Sequence, residues 1–209
     1  ILITAGPTYE AIDPVRFIGN HSSGKMGFFL AEAAAKEGAQ VTLVSGPSHQ
    51  QLKHPFIKRV DVSTAKEMYD ACHQYFSNSD IAIFSAAVAD YKPIKTATQK
   101  IKKQDTALHI DLEPTKDILK SLGEQKQVGQ VLVGFALETD NEEENARLKL
   151  QKKNLDLIVL NSLNDAGAGF QHNTNKISIL DKSNKFHRFE LKSKQDVARD
   201  IIYHIISLL

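Results

Sequence analysis

The chain predicts an α/β protein: a Rossmann-like, mostly parallel sheet with helices on both faces, plus an added β-hairpin and flap region. Three observations predict it. Short β-branched runs alternate with longer helical patterns, the order in which parallel sheets are built. The strand candidates are nearly continuous apolar runs, as strands covered on both faces must be. A long loop separates the first strand from the first helix, where open α/β sheets bind their ligands.

The elements follow in order. Residues 1–5 form the first strand, and residues 6–22 the loop, against the usual connection of about 2–6 residues. A helix over 23–37 carries Met26, Leu30, Ala33 and Ala34 as one apolar stripe, with Ser22 or Ser23 as its N-cap and Gly38 as its stop. A strand over 41–45 precedes a helix over 64–77, capped by Ser63 or Thr64. A strand over 80–86 leads into a Lys-rich excursion, 87–112, which ends in the alternating strand 108–112. Helix 116–123, strand 130–136, helix 141–153 and strand 156–161 restore the rhythm. A second excursion, 162–190, is rich in Asn, Gly and Asp. It closes with strands 176–180 and 186–191 around the turn Asp181-Lys182-Ser183-Asn184. A final helix over 194–208, with Val197, Ile201, Ile202 and Ile205 on one face, packs back on the sheet. No internal repeat is present, so one domain over 1–209 is expected, with 87–112 as flap and 162–191 as hairpin excursion.

Composition bounds the partners. Lys and Arg number 26 against 25 Asp and Glu, a net charge of +1, so no global field favours nucleic acid or an anionic membrane. A single cysteine, Cys72, excludes an internal disulfide and fits a reducing compartment. No apolar run reaches the roughly 20 residues of a membrane span, and no stretch of these residues reads as a basic-then-apolar signal segment. A cytoplasmic protein is the expectation.

The loop supplies the sharpest signal. Gly19 to Lys25 satisfies G-x-x-x-x-G-K, but Met26 stands where a P-loop needs a Ser or Thr hydroxyl. No G-x-G-x-x-G follows the first strand, and strand 41–45 ends in Val44-Ser45-Gly46-Pro47 without an acid for a dinucleotide ribose. Ser22-Ser23-Gly24-Lys25 opens a helix whose free N–H groups suit a phosphate, and the same serines could equally be simple caps. Ala86-Ala87-Val88-Ala89-Asp90-Tyr91 leaves the third strand with small residues that admit a ligand. Asp90 there could hold a metal or a ribose hydroxyl, or only form a turn. Lys95, Lys100, Lys102 and Lys103 could fold over a polyphosphate or remain solvated, and no aromatic residues interleave them as a nucleic-acid platform requires. Lys149 and Lys153 share a helix face at i, i+4, a repulsion that an anion would reverse. His21 could serve as a base or as a surface hydrogen-bonding group. These residues alone indicate an α/β protein for a phosphorylated or polyphosphate ligand. A nicotinamide oxidoreductase, a nucleotide sensor and a nucleic-acid binder are the rivals. The missing Gly fingerprint and missing Tyr–Lys pair count against the first.

Several motifs together carry a resemblance. They are Ile3-Thr4-Ala5-Gly6-Pro7-Thr8, Asp13-Pro14-Val15-Arg16 running on to Asn20-His21-Ser22-Ser23-Gly24-Lys25-Met26-Gly27, Ala86 through Tyr91, Lys100-Ile101-Lys102-Lys103, Gly134-Phe135-Ala136-Leu137-Glu138-Thr139, and Ala146-Arg147 with Lys149, Lys153, Asn154, Leu155 and Asp156. Over essentially its whole length the chain resembles the phosphopantothenate–cysteine ligases of the bacterial, CTP-dependent type. The resemblance implies activation of 4′-phosphopantothenate by CTP, loss of pyrophosphate, an acyl-cytidylate, and attack by L-cysteine with release of CMP, in coenzyme A biosynthesis. It implies magnesium with the CTP, no flavin, a homodimer, and a decarboxylase that is either separate or fused. By matching positions, Asn20 and Lys100 are the catalytic candidates. Arg16, Asn20, Ser22 and Ala86 match the substrate site. Ala86, Ala87, Asp90, Lys100, Phe135, Lys149 and Lys153 match the nucleotide site, and Asp90 is the metal candidate. Lys116 stands where the family more often has proline.

Overall fold

In the computed structural model of the chain, residues 1–103, 105–138, 141–162 and 173–209 are described. β1 (Leu2–Ala5) leads into a small hairpin of β2 (Tyr9–Ala11) and β3 (Phe17–Gly19), then α1 (Lys25–Lys36). β4 (Val41–Ser45) and β5 (Ile57–Asp61) precede α2 (Ala65–Phe76), and β6 (Ile81–Phe84) follows. β7 (Tyr91–Pro93) pairs with β8 (Leu112–Pro114) in a second hairpin. α3 (Ile118–Gln125), β9 (Val131–Glu138), α4 (Glu142–Lys152) and β10 (Leu157–Ser162) complete the alternation. β11 (Thr174–Asn175), β12 (Ile177–Asp181), β13 (Phe186–Arg188), β14 (Lys192–Ser193) and α5 (Lys194–Ile206) close the chain.

Among the described residues, eight strands form one sheet in the order β13-β12-β10-β9-β6-β1-β4-β5. The six from β5 to β10 are all parallel, and β12 and β13 are antiparallel additions. Numbered along the chain, the parallel strands lie 3-2-1-4-5-6, the dinucleotide-fold order, with its reversal between β1 and β6. Strand residues alternate between two cores. Ile3, Leu43, Ile83, Val133 and Val159 point to α1 and α5. Leu2, Val44, Phe84, Leu132 and Ile158 point to α2, α3 and α4. This period-2 division is what a sheet covered on both faces demands.

The structure corrects several expectations. Residues 57–61 form an edge strand that the sequence reading left out, because Lys58 and Arg59 interrupt its apolar run. The alternating residues 108–111 are not strand; pairing begins at Leu112, opposite Pro93. α1 starts at Lys25, two residues after the expected start, and its cap is neither serine. Gly24 occupies the cap with φ +80°, a left-handed conformation open to glycine, and no side chain bonds to the first-turn N–H groups. α2 does take Thr64 as cap, with Glu67 completing a capping box. The hairpin around Asp181 to Lys185 forms as expected. Most of the Asn/Gly-rich stretch, residues 163–172, and Thr139 of the quoted motif lie outside the described residues.

Candidate active site

The long loop and the segment after β6 are bolted together at the point where strand order reverses. Ala86 N–H donates to Thr4 Oγ1 (3.2 Å), Ala87 N–H to the Gly6 carbonyl (2.9 Å), and Ala89 N–H to Thr8 Oγ1 (2.9 Å). In return Thr8 N–H donates to the Ala87 carbonyl (3.2 Å), and Ser85 Oγ to the Thr4 carbonyl (2.7 Å). The small residues at 85–89 are needed here, since the two chain segments run backbone against backbone. Two cavities open on either side of this seam, and Ala86, Ala87, Phe135 and Leu137 line both.

The first cavity, about 180 Å³, lies against the start of α1. Ser22 to Gly27 form one wall, and Ser22 Oγ accepts from the Gly24 N–H at 3.3 Å. The opposite wall brings Asn161, Asn175 and Lys194. Lys25 and Lys194 thus face one cavity. Lys194 is 6% exposed, and burial, then the nearby Lys25 charge, lower its pKa. Lys25 Nζ donates to Asn173 Oδ1 at 2.7 Å. Asn175 donates to Asn161 Oδ1 (3.1 Å) while its own buried Oδ1 has no partner among the described residues. Two lysines and an uncapped helix start give this cavity the donors and positive charge that suit an anion.

The second cavity, about 370 Å³, is walled by Thr4, Asp90, Thr115 to Leu119 and Lys153. Thr115 fixes its far side, donating from Oγ1 to the Ala89 carbonyl (2.7 Å) and from N–H to the Asp90 carbonyl (2.9 Å). Lys153 pairs with Asp117 at 2.9 Å. Burial pushes the Asp117 carboxyl up, but the Lys120 N–H and Lys153 together hold it below its ordinary value.

The named candidates distribute unevenly over these walls. Ser22, Ala86, Ala87, Asp90, Phe135 and Lys153 line the cavities. Asn20 stands at the seam, where its amide donates to the Ala87 carbonyl at 3.0 Å. Arg16 is exposed and committed elsewhere, to Asp13 and to the Ile101 carbonyl. Lys100 is exposed and lines neither cavity; the adjoining Ile101 ties its segment to Asp13. Lys149, half-buried on α4, also lines neither. Sequence reasoning missed Asn161, Asn175 and Lys194; of the 115–119 wall, the resemblance marks only Thr115 to Asp117, where Lys116 replaces the family's more usual proline. The first three come from the far end of the chain, and no local motif marks them. Cys72, expected as a small buried hydrophobe, is fully buried in the core against α2 neighbours. No group of three His, Cys, Asp or Glu able to hold a metal ion occurs among the described residues.

Comparison with known proteins identifies the family. The chain is 54% identical over 209 residues to a protein named cysteine/cysteine sulfinic acid decarboxylase from an unknown prokaryotic organism, covering all of this chain and 58% of that one. It is 47% identical over 208 residues to the coenzyme A biosynthesis bifunctional protein CoaBC of Bacillus subtilis (strain 168), covering all of this chain and 51% of that protein. The chain therefore spans little more than half the length of these relatives. A solved structure, the C-terminal domain of a coenzyme A biosynthesis bifunctional protein CoaBC, superimposes with a TM-score of 0.83 at 42% identity, covering 99% of this chain and 93% of that one. Residues 1–209 match the DNA/pantothenate metabolism flavoprotein C-terminal domain, and the chain belongs to that family.

Proposed function

We propose that the chain is a phosphopantothenate–cysteine ligase domain acting in coenzyme A biosynthesis, with CTP as the activating nucleotide. The observation that carries this reading is the pair of cavities joined at Ala86, Ala87 and Phe135, one of them cationic, with the Asn20 amide at their seam. Two ligands must meet for a ligation, and the seam is where they meet. A carboxylate is a poor acyl donor. Its attack on the α-phosphorus of CTP expels pyrophosphate and leaves an acyl-cytidylate; the cysteine amine then attacks the acyl carbon, loses a proton and expels CMP. No electrons are gained or lost in either step, so the reaction needs no flavin.

Roles follow from position. The α1 N–H groups, Lys25 and Lys194 hold the CTP phosphates in the first cavity. Phe135 and Lys153 flank the nucleoside in the second, with Lys149 on α4, one turn before Lys153. Asn20 donates to the acyl oxygen as negative charge gathers there. Ser22 and Arg16 bind the phosphopantothenate, and Lys100 comes from the flap to the departing pyrophosphate. Asp90, exposed on the cavity wall, is a fitting carboxylate for magnesium held mainly by triphosphate oxygens, the usual mode for this ion. Magnesium there would neutralise phosphate charge.

The domain works as a homodimer in this reading. Val15, Phe17, Tyr91, Ile94, Leu108 and Leu112, between 44% and 60% exposed, lie on the two hairpins and their flanks, an apolar surface that association would cover. The decarboxylase step, fused or separate, acts on the product.

The decisive variant is Asn20→Asp. A carboxylate beside a developing oxyanion repels it, so pyrophosphate still forms while the acyl-cytidylate accumulates and is detected by mass. Wild-type rates of phosphopantothenoylcysteine formation in this variant would remove Asn20 from the mechanism.

A further inference from the structure

Asp13 has a fully buried side chain in an otherwise exposed stretch, Pro14 to Phe17. Its two oxygens have different partners. Oδ1 accepts from the Val15 and Arg16 N–H groups, both at 2.8 Å, and closes the local turn. Oδ2 accepts from Arg16 Nε (3.0 Å) and Arg16 Nη2, and also from the N–H of Ile101 at 3.1 Å, 88 residues away. Arg16 Nη2 donates in turn to the Ile101 carbonyl at 2.8 Å, so both backbone polar atoms of Ile101 are held. Two more bonds fasten the same strip to the β2–β3 hairpin: Ala97 N–H to the Ile12 carbonyl (3.0 Å), and Thr96 Oγ1 to the Ala11 carbonyl (3.1 Å). A turn alone would need only Oδ1. The buried Oδ2 is satisfied by the loop and the flap together, as a buried carboxylate must be.

We propose that Asp13 is a positioning residue: through Oδ2 it latches the Lys100 segment onto the Arg16–Asn20 loop, so that Lys100 reaches the nucleotide only while the latch is closed. The purpose given to Lys100 rests on the ligase reading above; the latch rests on the bonds to Ile101. Arg16 is part of the same latch, because its guanidinium spans Asp13 and the Ile101 carbonyl.

Asp13→Asn separates the two roles. The amide oxygen can still close the turn, while an NH2 in place of Oδ2 sets donor against donor at Ile101 and Arg16. Three measurements are made on the full chain. Trypsin should cleave the folded variant after Lys100, Lys102 or Lys103 about tenfold faster than wild type, the scale of one charge-assisted hydrogen bond. CTP-dependent pyrophosphate release should fall to the level of Lys100→Gln. The double variant should be no slower than Lys100→Gln alone, because both changes remove one function. Wild-type cleavage overturns the latch, and losses that multiply in the double variant overturn action through Lys100. If wild type itself releases no pyrophosphate, the ligase reading falls and the cleavage comparison decides the latch by itself. Should Asp13→Asn not fold, amide exchange in wild type decides: Ile101 protected relative to Lys100 and Lys102 supports the latch, and equal exchange overturns it.

Discussion

Gly27 lines the first cavity where α1 packs on β1, and Gly27→Ala tests how far the cavity depends on that packing. It is the third residue of α1, in the Ser22–Gly27 motif, and a Cβ there would lie 2.5 Å from Ala5 Cβ, 2.8 Å from Ser85 Oγ and 2.9 Å from the Thr4 carbonyl. Ala5 Cβ and the Thr4 carbonyl belong to β1 and cannot rotate away. Ser85 Oγ could, but only by giving up its 2.7 Å bond to that same carbonyl. Ordinary carbon contacts need about 3.5–4.0 Å, so α1 must retreat by about 1 Å. Overpacking of this kind costs about 1–3 kcal/mol. Alanine in a helix returns up to about 1 kcal/mol over glycine. The net loss is up to about 2 kcal/mol, which for a chain of this length lowers Tm by up to about 8 °C. The retreat also carries the α1 N–H groups and Lys25 away from Lys194, so CTP affinity should fall about tenfold, the worth of one hydrogen bond to a charged group. Calorimetry with CTP titration measures both. A variant as stable as wild type with unchanged CTP affinity would refute the packing argument and the anion site together.

Other outcomes follow from neighbouring features. Lys194→Ala should raise the Kd for CTP by about tenfold or more without unfolding the chain, since it deletes one of two cations facing the first cavity; titration calorimetry reads it directly. Burial pushes the Asp181 carboxyl up, but bonds from Ser183, His187 and the Lys185 and Ser183 N–H groups outweigh it and bring its pKa to about 2. A lowered carboxyl pKa stabilises the fold above the ordinary value of 3.8 and loses that contribution as pH falls towards 2. Asp181→Asn should therefore cost about 2 kcal/mol at neutral pH, with the deficit closing between about pH 4 and pH 2 in denaturant titrations. Phe17→Asp combined with Leu112→Asp should give monomers by sedimentation if the exposed apolar hairpin surface is the dimer face.

Much of the fold was legible because its strands obey one rule. Ile81 to Phe84 is apolar on both sides, as only a doubly covered strand is. The edge strand β5 was not, because an edge strand tolerates Lys58 and Arg59 and so loses the apolar signature. The strand expected at 108–112 shows the reverse error: alternation was present, but the partner β7 offers only Tyr91 to Pro93, so pairing starts at Leu112. Gly24 displaced the serines as cap because the chain must turn through positive φ to approach Gly6 and Ser48. At the site, contiguous motifs such as Ser22 to Gly27 and Ala86 to Asp90 announced themselves. Lys194, Asn161 and Asn175 did not, since only the tertiary fold brings residues so far along the chain to the start of α1. The Asp13–Ile101 bonds were equally hidden, as nothing in sequence links residues 88 apart.

The central claim is that the two joined cavities perform a nucleotide-driven ligation. Its most direct test mixes the chain with 4′-phosphopantothenate, L-cysteine and magnesium, and follows pyrophosphate with CTP and, separately, with ATP. The account predicts pyrophosphate that depends on both CTP and phosphopantothenate, with CMP and phosphopantothenoylcysteine found by mass. CTP that binds without any substrate-dependent pyrophosphate would contradict it and leave a nucleotide-binding domain without the ligase chemistry.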